Sequence, residues 1–371
     1  GPIMKIFVFE PFFSGSHAQW AKGLQAHSRH DVRLFTLPGR HWKWRMFGAA
    51  PELARQLRAT GEQPDLVLAS DMLDLAGFLG HLHGYLRPDC PVALYFHENQ
   101  LTYPWSPTDT DVGHKRDRHY AYLNYTSALA ADHIFFNSAY HQSSFLGALP
   151  AFLKAFPDTR GLDQVALIAQ KSTVLPLGLD LKRLGQPPPP KEGAATLLWN
   201  HRWEYDKNPE GFFELARQLD RMGLDFQLIV LGQAYPKSPA AFAEARTSLS
   251  HRIRHWGYAD SISAYAKLLW QADLLPVTGF QDFFGGSVVE AMYCNCHPIL
   301  PNRLAYPEHL PPGKEAWLYD SPEALLSKTV DAIHHLPRLR RDASCQDFVA
   351  RYDWSILAER YDAAFEACST S

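Results

Sequence analysis

The chain has 371 residues, 46% of them hydrophobic and 20% charged, with a formal net charge of −3. That length exceeds one ordinary core of about 100–200 residues, so two α/β domains are expected, and the composition excludes a disordered chain. Residues 1–180 hold 16 Lys+Arg against 16 Asp+Glu, which excludes a globally basic nucleic-acid binder and leaves only a local patch for that purpose.

Lys5-Ile-Phe-Val-Phe-Glu10 reads as a strand, followed by a loop, Pro11–His17, and a helix from Ala18. Asp31–Thr36, Asp65–Ser70, Pro91–Phe96 and His133–Asn137 read as four more strands. Leu175–Asp180 is hinge-like, and Pro187–Pro190 is stiff enough for a linker. A second series follows: Thr196–Asn200, Phe226–Leu231, Ala272–Val277, Pro298–Leu300 and a segment near Ala316–Leu318, with a helix from Trp354. Short apolar runs alternating with helical spacing predict buried parallel strands in βαβ units. No run of about 18 apolar residues exists, so no membrane span is expected. Gly1-Pro-Ile3 reads as a protease-cleavage scar before a native start at Met4, with no signal sequence. Five cysteines, odd in number and sparse, point to a reducing cytoplasm.

In doubly wound sheets, ligands bind at the carboxyl ends of the strands, so the loops there carry the chemistry. Phe13-Ser-Gly-Ser-His17 can offer backbone N–H groups to an anion or serve as a plain turn. It lacks the G-x-G-x-x-G pattern of a dinucleotide site. Phe96–Pro104 crowds His97, Glu98, Asn99 and Gln100 at one strand end, where they can bind hydroxyls, and His97 can handle a proton near neutral pH. In Asn200–Pro209, Arg202 and Lys207 stand before a helix start and can clamp a diphosphate. In Asp282-Phe-Phe-Gly-Gly-Ser-Val-Val-Glu290, Gly285-Gly-Ser287 opens a helix, with Asp282 in the loop and Glu290 one turn in.

Pro38-Gly-Arg-His-Trp-Lys-Trp-Arg45 interleaves cations with indoles. Such a strip can pair phosphates and stack bases, or be an amphipathic loop that packs its tryptophans. Lys115–His119 and Arg338–Arg341 read as solvated faces, and Asp109-Thr-Asp111 is discounted as a metal pair because it follows no strand. Cys294-Asn-Cys-His297 lacks a second ligand pair of zinc spacing, so its thiols read as small buried residues closing a turn, and no metal is expected.

The Arg-x4-Lys pair, the acidic-x7-Glu motif and the closing Tyr352-Asp-Trp-Ser355 resemble the retaining GT-B glycosyltransferases, with Asp282 where that superfamily usually has Glu. Glu10–His17, Thr36–Arg45, Tyr95–Pro104 and Phe135-Phe-Asn-Ser138 resemble more closely the tRNA-queuosine mannosyltransferase family. The resemblance implies two facing Rossmann-like domains with a cleft between them: 1–180 on the acceptor side, 181–350 binding the nucleotide sugar, and a helix at 351–371 returning to the first. It implies transfer of mannose from GDP-mannose to the cyclopentene hydroxyl of queuosine in tRNA, without metal, membrane or an evident protein partner.

Carried onto this chain, the resemblance implies that Arg202 and Lys207 hold the diphosphate, with Gly15 and Ser16 approaching it. Asp282 with Phe283, Phe284, Gly285, Gly286 and Ser287 would hold the sugar, Glu290 the ribose, and Gly257 and Tyr258 the guanine. His97 would lie near the acceptor, with His17, Arg40, Trp42, Lys43, Trp44, Arg45, Glu98, Asn99 and Gln100 on the acceptor side. Two alternatives stay open: a GT-B enzyme with another donor and a small-molecule or glycan acceptor, and a catalytically silent tRNA- or nucleotide-binding protein.

Overall fold

A computed structural model describes residues 1–104, 109, 111 and 118–370. Thr110 and Lys115–Asp117, singled out above, lie outside the described residues. The chain divides into two compact units, Gly1–Leu179 with Trp354–Ser371, and Asp180–Asp353.

The first unit holds β1 (Lys5–Phe13), β2 (Asp31–Pro38), β3 (Leu66–Ser70), β4 (Val92–Phe96), β5 (His133–Phe136) and β6 (Ser172–Val174) in the order β2-β1-β3-β4-β5-β6, all parallel. The second holds β7 (Ala195–Trp199), β8 (Phe226–Leu231), β9 (Ile253–Gly257), β10 (Leu274–Pro276), β11 (His297–Pro301) and β12 (Leu318–Tyr319) in the order β12-β11-β10-β7-β8-β9, again all parallel. Every residue of β3, β4 and β7 is buried, as sheets covered on both faces require.

In the first sheet β1 lies between β2 and β3, and in the second β7 lies between β8 and β10. At these positions the strand order reverses, which opens a crevice at the carboxyl ends. The loops after β1, β7 and β10 are therefore the ones placed to meet a ligand.

Four elements differ from expectation. β1 runs on to Phe13, with a break in register between Glu10 and Phe13, and the helix begins at Gly15, not Ala18, so the expected loop shrinks to Ser14. The indole strip is not a loop: Trp42 starts a helix that ends at Thr60, with His41 at φ 53 before it. β6 is only three residues long, too short to show a pattern, and β9 carries Arg254 and His255 because it is an edge strand that need not be apolar.

Local signals explain the helix starts. Asn208 adopts φ 54, which Asn tolerates, and accepts from the Gly211 amide at 3.1 Å, with Pro209 as the first helical residue. The closing helix, Trp354–Cys368, packs within the first unit. Its Tyr361 hydroxyl accepts from Trp20 Nε1 at 3.0 Å and donates to the Pro176 carbonyl at 2.7 Å. Trp354 fills a slot that exists only because two neighbours lack a side chain. A Cβ on Gly23 would stand 2.1 Å from Trp354 Nε1, and one on Gly178 2.3 Å from Trp354 Cε2.

Candidate active site

In the second unit, β7 and β10 deliver the expected donor motifs to one place. Lys207 donates to the Gln281 carbonyl at 3.0 Å and pairs with Asp282 at 3.3 Å, and both side chains are largely buried. Tyr306 donates to the same Asp282 carboxylate at 3.1 Å. Burial, followed by the Asp282 charge, pushes the Tyr306 hydroxyl well up, so it stays a donor at all working pH values. Arg202 stands apart from this knot: its side chain is 70% exposed and lies 3.6 Å from Glu204.

Gly285 sits at φ 90 with no side-chain cap, and the helix Gly286–Tyr293 begins after it, so its first amides keep a free face for an anion. Phe283 and Phe284 are buried; the Phe284 carbonyl accepts from His309 Nε2, whose Nδ1 accepts from the Tyr352 hydroxyl at 3.0 Å. Ser287 is held from β7: Asn200 Nδ2 donates to its carbonyl at 2.9 Å and its hydroxyl meets His201 Nδ1 at 2.8 Å. Glu290 accepts from Tyr265 at 3.1 Å and pairs with Arg183 at 2.7 Å, which fixes its carboxylate. Gly257 ends β9 at φ 111, and Tyr258 beyond it is mostly exposed.

Sequence reasoning passed over His201, Tyr306, Tyr265 and Arg183 as functional. His201 stood in the quoted loop and was detectable. Tyr306 and Arg183 are 24 and 107 positions from the acids they bind, a separation that no local pattern reveals.

In the first unit the loops after β1, β3 and β4 converge. Glu10 is almost wholly buried, though it sits in an apolar strand, and that anomaly was the one available signal for it. Its carboxylate meets His17 Nδ1 at 2.7 Å and accepts from Ser70 Oγ at 2.9 Å and the Phe12 amide at 3.0 Å. His17 Nε2 faces Glu98 Oε1 at 3.7 Å. Burial alone would lower the pKa of His17, but Glu10 and then Glu98 outweigh it and hold the imidazole well above its usual value. The imidazole is therefore a cation between two carboxylates.

His97 is the opposite case. Its ring packs 4.3 Å from His17, 4.8 Å from Trp20 and 4.8 Å from Tyr95. Burial, with His17 second, holds it well below its usual pKa, so it is neutral. Neither ring nitrogen has a hydrogen-bond partner, although both are buried. Its amide donates to Asp71 Oδ1 at 2.9 Å, and burial pushes that Asp71 carboxyl up. Among the described residues, Glu10, His17 and His97 form the one group whose ligand atoms all lie within 4.8 Å of each other, spacing that would suit a metal ion.

The structure gives Asn99 a different task from the one expected. It is fully buried and its amide is consumed locally: Nδ2 donates to His141 Nε2 at 2.9 Å, and Oδ1 accepts from Leu101 at 3.0 Å and Thr102 at 2.8 Å. Gln100 is anchored by its amide to Asn124 at 2.8 Å. The turn that presents His97 and Glu98 is thus prearranged by buried amides, because unpaired ones would cost about 1–3 kcal/mol each.

In the indole strip, Lys43 pairs with Asp109 at 2.8 Å and Asp111 at 2.5 Å, Trp42 packs on Tyr120 at 5.2 Å, and Arg45 donates to the Pro38 carbonyl at 3.1 Å. Arg40 and Trp44 are exposed. The strip's cations are partly committed to the protein itself, which a count of basic residues could not reveal. Gly15, at φ +50, opens the helix Gly15–His27 with Ser16 in its first turn.

Cys294 and Cys296 are free and buried, and burial pushes both thiols up, that of Cys296 to about 11. His297 packs on Trp317 at 4.3 Å and is pushed down to about 4 by burial. The three belong to the core beside β11.

A pH profile of stability separates the two histidines of the first unit. His17 has a raised folded pKa, so its contribution is complete below an unfolded value of about 6.5 and fades as pH rises through the folded value. His97 has a depressed pKa, so its cost appears as pH falls below about 6.5. We expect His17→Gln to flatten the alkaline limb of a chemical-denaturation profile and leave the acid limb set by His97; an unchanged alkaline limb would refute the Glu10–His17 ion pair.

Two parallel α/β units, with a Lys–Asp–Tyr knot and a Gly-Gly helix start at the switch point of the second, define a glycosyltransferase of the GT-B fold. The likeness to solved structures agrees. Sucrose-phosphate synthase from Thermosynechococcus elongatus aligns over 98% of both chains at 16% identity with a TM-score of 0.69. Anabaena HepE, solved with UDP and glucose, aligns over 98% of this chain and 100% of its own at 14% identity with a TM-score of 0.65. The family described as glycosyl transferases group 1 matches residues 183–346, and that described as tRNA-queuosine alpha-mannosyltransferase N-terminal matches residues 5–179. A tRNA-queuosine alpha-mannosyltransferase of Drosophila melanogaster is 33% identical over 356 residues, which is 92% of this chain and 90% of that protein. The chain belongs to the tRNA-queuosine alpha-mannosyltransferase family.

Proposed function

We propose that this glycosyltransferase moves mannose from GDP-mannose to a cyclopentene hydroxyl of queuosine in tRNA, with retention at the anomeric carbon and no metal. The observation that carries the reading is the family match over residues 5–179 of the first unit, joined to the Lys207–Asp282–Tyr306 knot in the second.

The geometry supports the following roles. Lys207 and Arg202 neutralise the diphosphate as the bond from anomeric carbon to phosphate oxygen breaks, a stabilisation that grows with the developing charge. Asp282 and the amides at Gly285–Ser287 hold the sugar, and Glu290, fixed by Tyr265 and Arg183, takes the ribose hydroxyls. The acceptor hydroxyl attacks the same face, and the leaving phosphate accepts its proton. His97, neutral and unpaired, takes a hydroxyl as donor or acceptor. Among the described residues no helix is long and apolar enough to cross a membrane, and a tRNA acceptor supports a cytoplasmic site of action.

The test is mass spectrometry of tRNA nucleosides after incubation with a panel of nucleotide sugars, with and without EDTA. A hexose on queuosine from GDP-mannose, insensitive to EDTA, is the expected result. Transfer from another donor alone would change the donor, and no adduct with any donor would defeat the reading.

A further inference from the structure

We propose that the Ser287 hydroxyl is a catalytic donor to the diphosphate of the sugar nucleotide, and that His201 is the positioning residue that turns its proton toward that anion. The inference rests on the functional reading above and deepens it, naming a group besides Lys207 and Arg202 that meets the leaving phosphate.

Two consecutive residues after β7 grip one residue of the helix Gly286–Tyr293. Asn200 Nδ2 donates to the Ser287 carbonyl at 2.9 Å, and His201 Nδ1 lies 2.8 Å from Ser287 Oγ. The first bond already ties the helix start to β7. The second goes to a hydroxyl in the first turn, beside the amides that keep a free face for an anion. Ser287 is only partly buried and can be reached by a ligand, whereas His201 is buried.

His201 is closely held. Its ring packs edge-on against Trp199 at 4.9 Å, and its carbonyl accepts from Trp199 Nε1 at 3.0 Å. Burial pushes its pKa down to about 4, so the ring is neutral at working pH and carries one proton. The charges of Lys207 and Asp282 act on the same ring with opposite sign, which sets the pair beside the donor knot. Among the described residues, His201 Nε2 is buried without a hydrogen-bond partner. A proton there would be an unsatisfied buried donor. The proton therefore belongs on Nδ1, where it is donated to Ser287 Oγ. That bond occupies a lone pair of the oxygen and leaves the hydroxyl proton to point away from the ring. Successive donation, from Nδ1–H to Oγ–H to an anion, polarises each bond in turn.

The transfer step balances without a proton from either residue. The bond from anomeric carbon to phosphate oxygen breaks, and its electron pair stays on that oxygen. The acceptor oxygen bonds to the carbon, and its proton passes to the phosphate. Ser287 keeps its own proton and shares it with the phosphate as charge develops there, which is when a fixed donor counts most.

The experiment measures steady-state hexose transfer from GDP-mannose to queuosine-bearing tRNA, and melting temperature, for Ser287→Ala, His201→Phe, His201→Asn and the double variant Ser287→Ala/His201→Phe. Ser287→Ala is expected to lower kcat roughly 10–100-fold, with an unchanged KM for tRNA and an unchanged melting temperature. His201→Phe should cost a similar factor, and the double variant no more than the larger single loss, because His201 acts through the hydroxyl. His201→Asn should restore most of the turnover, since its amide can donate from the place of Nδ1. Near-native kcat in Ser287→Ala would overturn the inference. So would a full additional loss from His201→Phe in the Ser287→Ala background, which makes His201 a structural brace. If His201→Phe does not fold, the other two single variants decide: fast turnover by His201→Asn with slow turnover by Ser287→Ala supports the inference, and the converse overturns it. Each of these failures leaves the transferase reading intact, whereas absence of hexose transfer by the unmodified protein with every donor would defeat both readings together.

Discussion

Lys207→Ala is expected to reduce turnover by at least ~10²-fold, chiefly in kcat. The physical reason is the environment of the ammonium. It is largely buried, pinned by the Gln281 carbonyl at 3.0 Å and by Asp282 at 3.3 Å, so its charge is preorganised and poorly screened. Removing it also leaves Asp282, among the described residues, with the Tyr306 hydroxyl as its remaining side-chain partner, and that carboxylate would then repel the leaving phosphate. Arg202→Ala is expected to cost a comparable factor by a different route, because Arg202 is exposed and must move onto the diphosphate, so part of its loss should appear in KM. Hexose transfer measured for both variants decides the matter: near-native turnover in each would remove the diphosphate clamp from the assignment. Lys207→Arg is not a conservative control, since the planar guanidinium cannot replace a point charge in a buried knot.

Trp354→Ala is expected to destabilise the first unit by about 3–5 kcal/mol. Trp354 is almost fully buried, packs 4.7 Å from Tyr361 and donates its backbone amide to the Leu179 carbonyl at 2.8 Å, so it is the first anchor of the closing helix. Gly23→Ala and Gly178→Ala should each cost about 1–3 kcal/mol by overfilling the same slot. The diagnostic result is coupling: Gly23→Ala should cost much less in a Trp354→Ala background, because the added methyl then enters the space the indole leaves. Thermal or urea unfolding of the full chain checks this. Additive penalties, or no loss from Trp354→Ala, would mean that the indole does not hold the helix.

Where the sequence was legible, the cause was local. The β4 turn advertised itself as His97, Glu98, Asn99 and Gln100 in one run, and Asn208-Pro209 marked a helix start by known backbone preferences. Asp282, the glycines and Glu290 stood at the spacing of a loop and the first turn of a helix. Where the sequence was silent or misleading, the cause was distance or edge position. Ser172–Val174 is too short for any period, and Arg254 and His255 disguise β9 at the sheet edge. Asn99 looked like a ligand contact because amides at strand ends often are, yet His141, 42 residues away, absorbs it. Lys43 looked free for phosphate until the fold set Asp109 and Asp111 against it.

The sequence by itself determined the parallel α/β architecture and the identity of the loops at the strand ends, because buried strands and helix starts are written in consecutive residues. Only the tertiary structure decided the electrical state of the site. It paired Glu10 with His17 and left His97 neutral, both of its ring nitrogens buried without a hydrogen-bond partner. In the second unit it tied Lys207 to Asp282 and Tyr306, and Glu290 to Tyr265 and Arg183. Protonation and pairing depend on burial and on neighbours brought from distant segments, and these exist only once the sheets have formed.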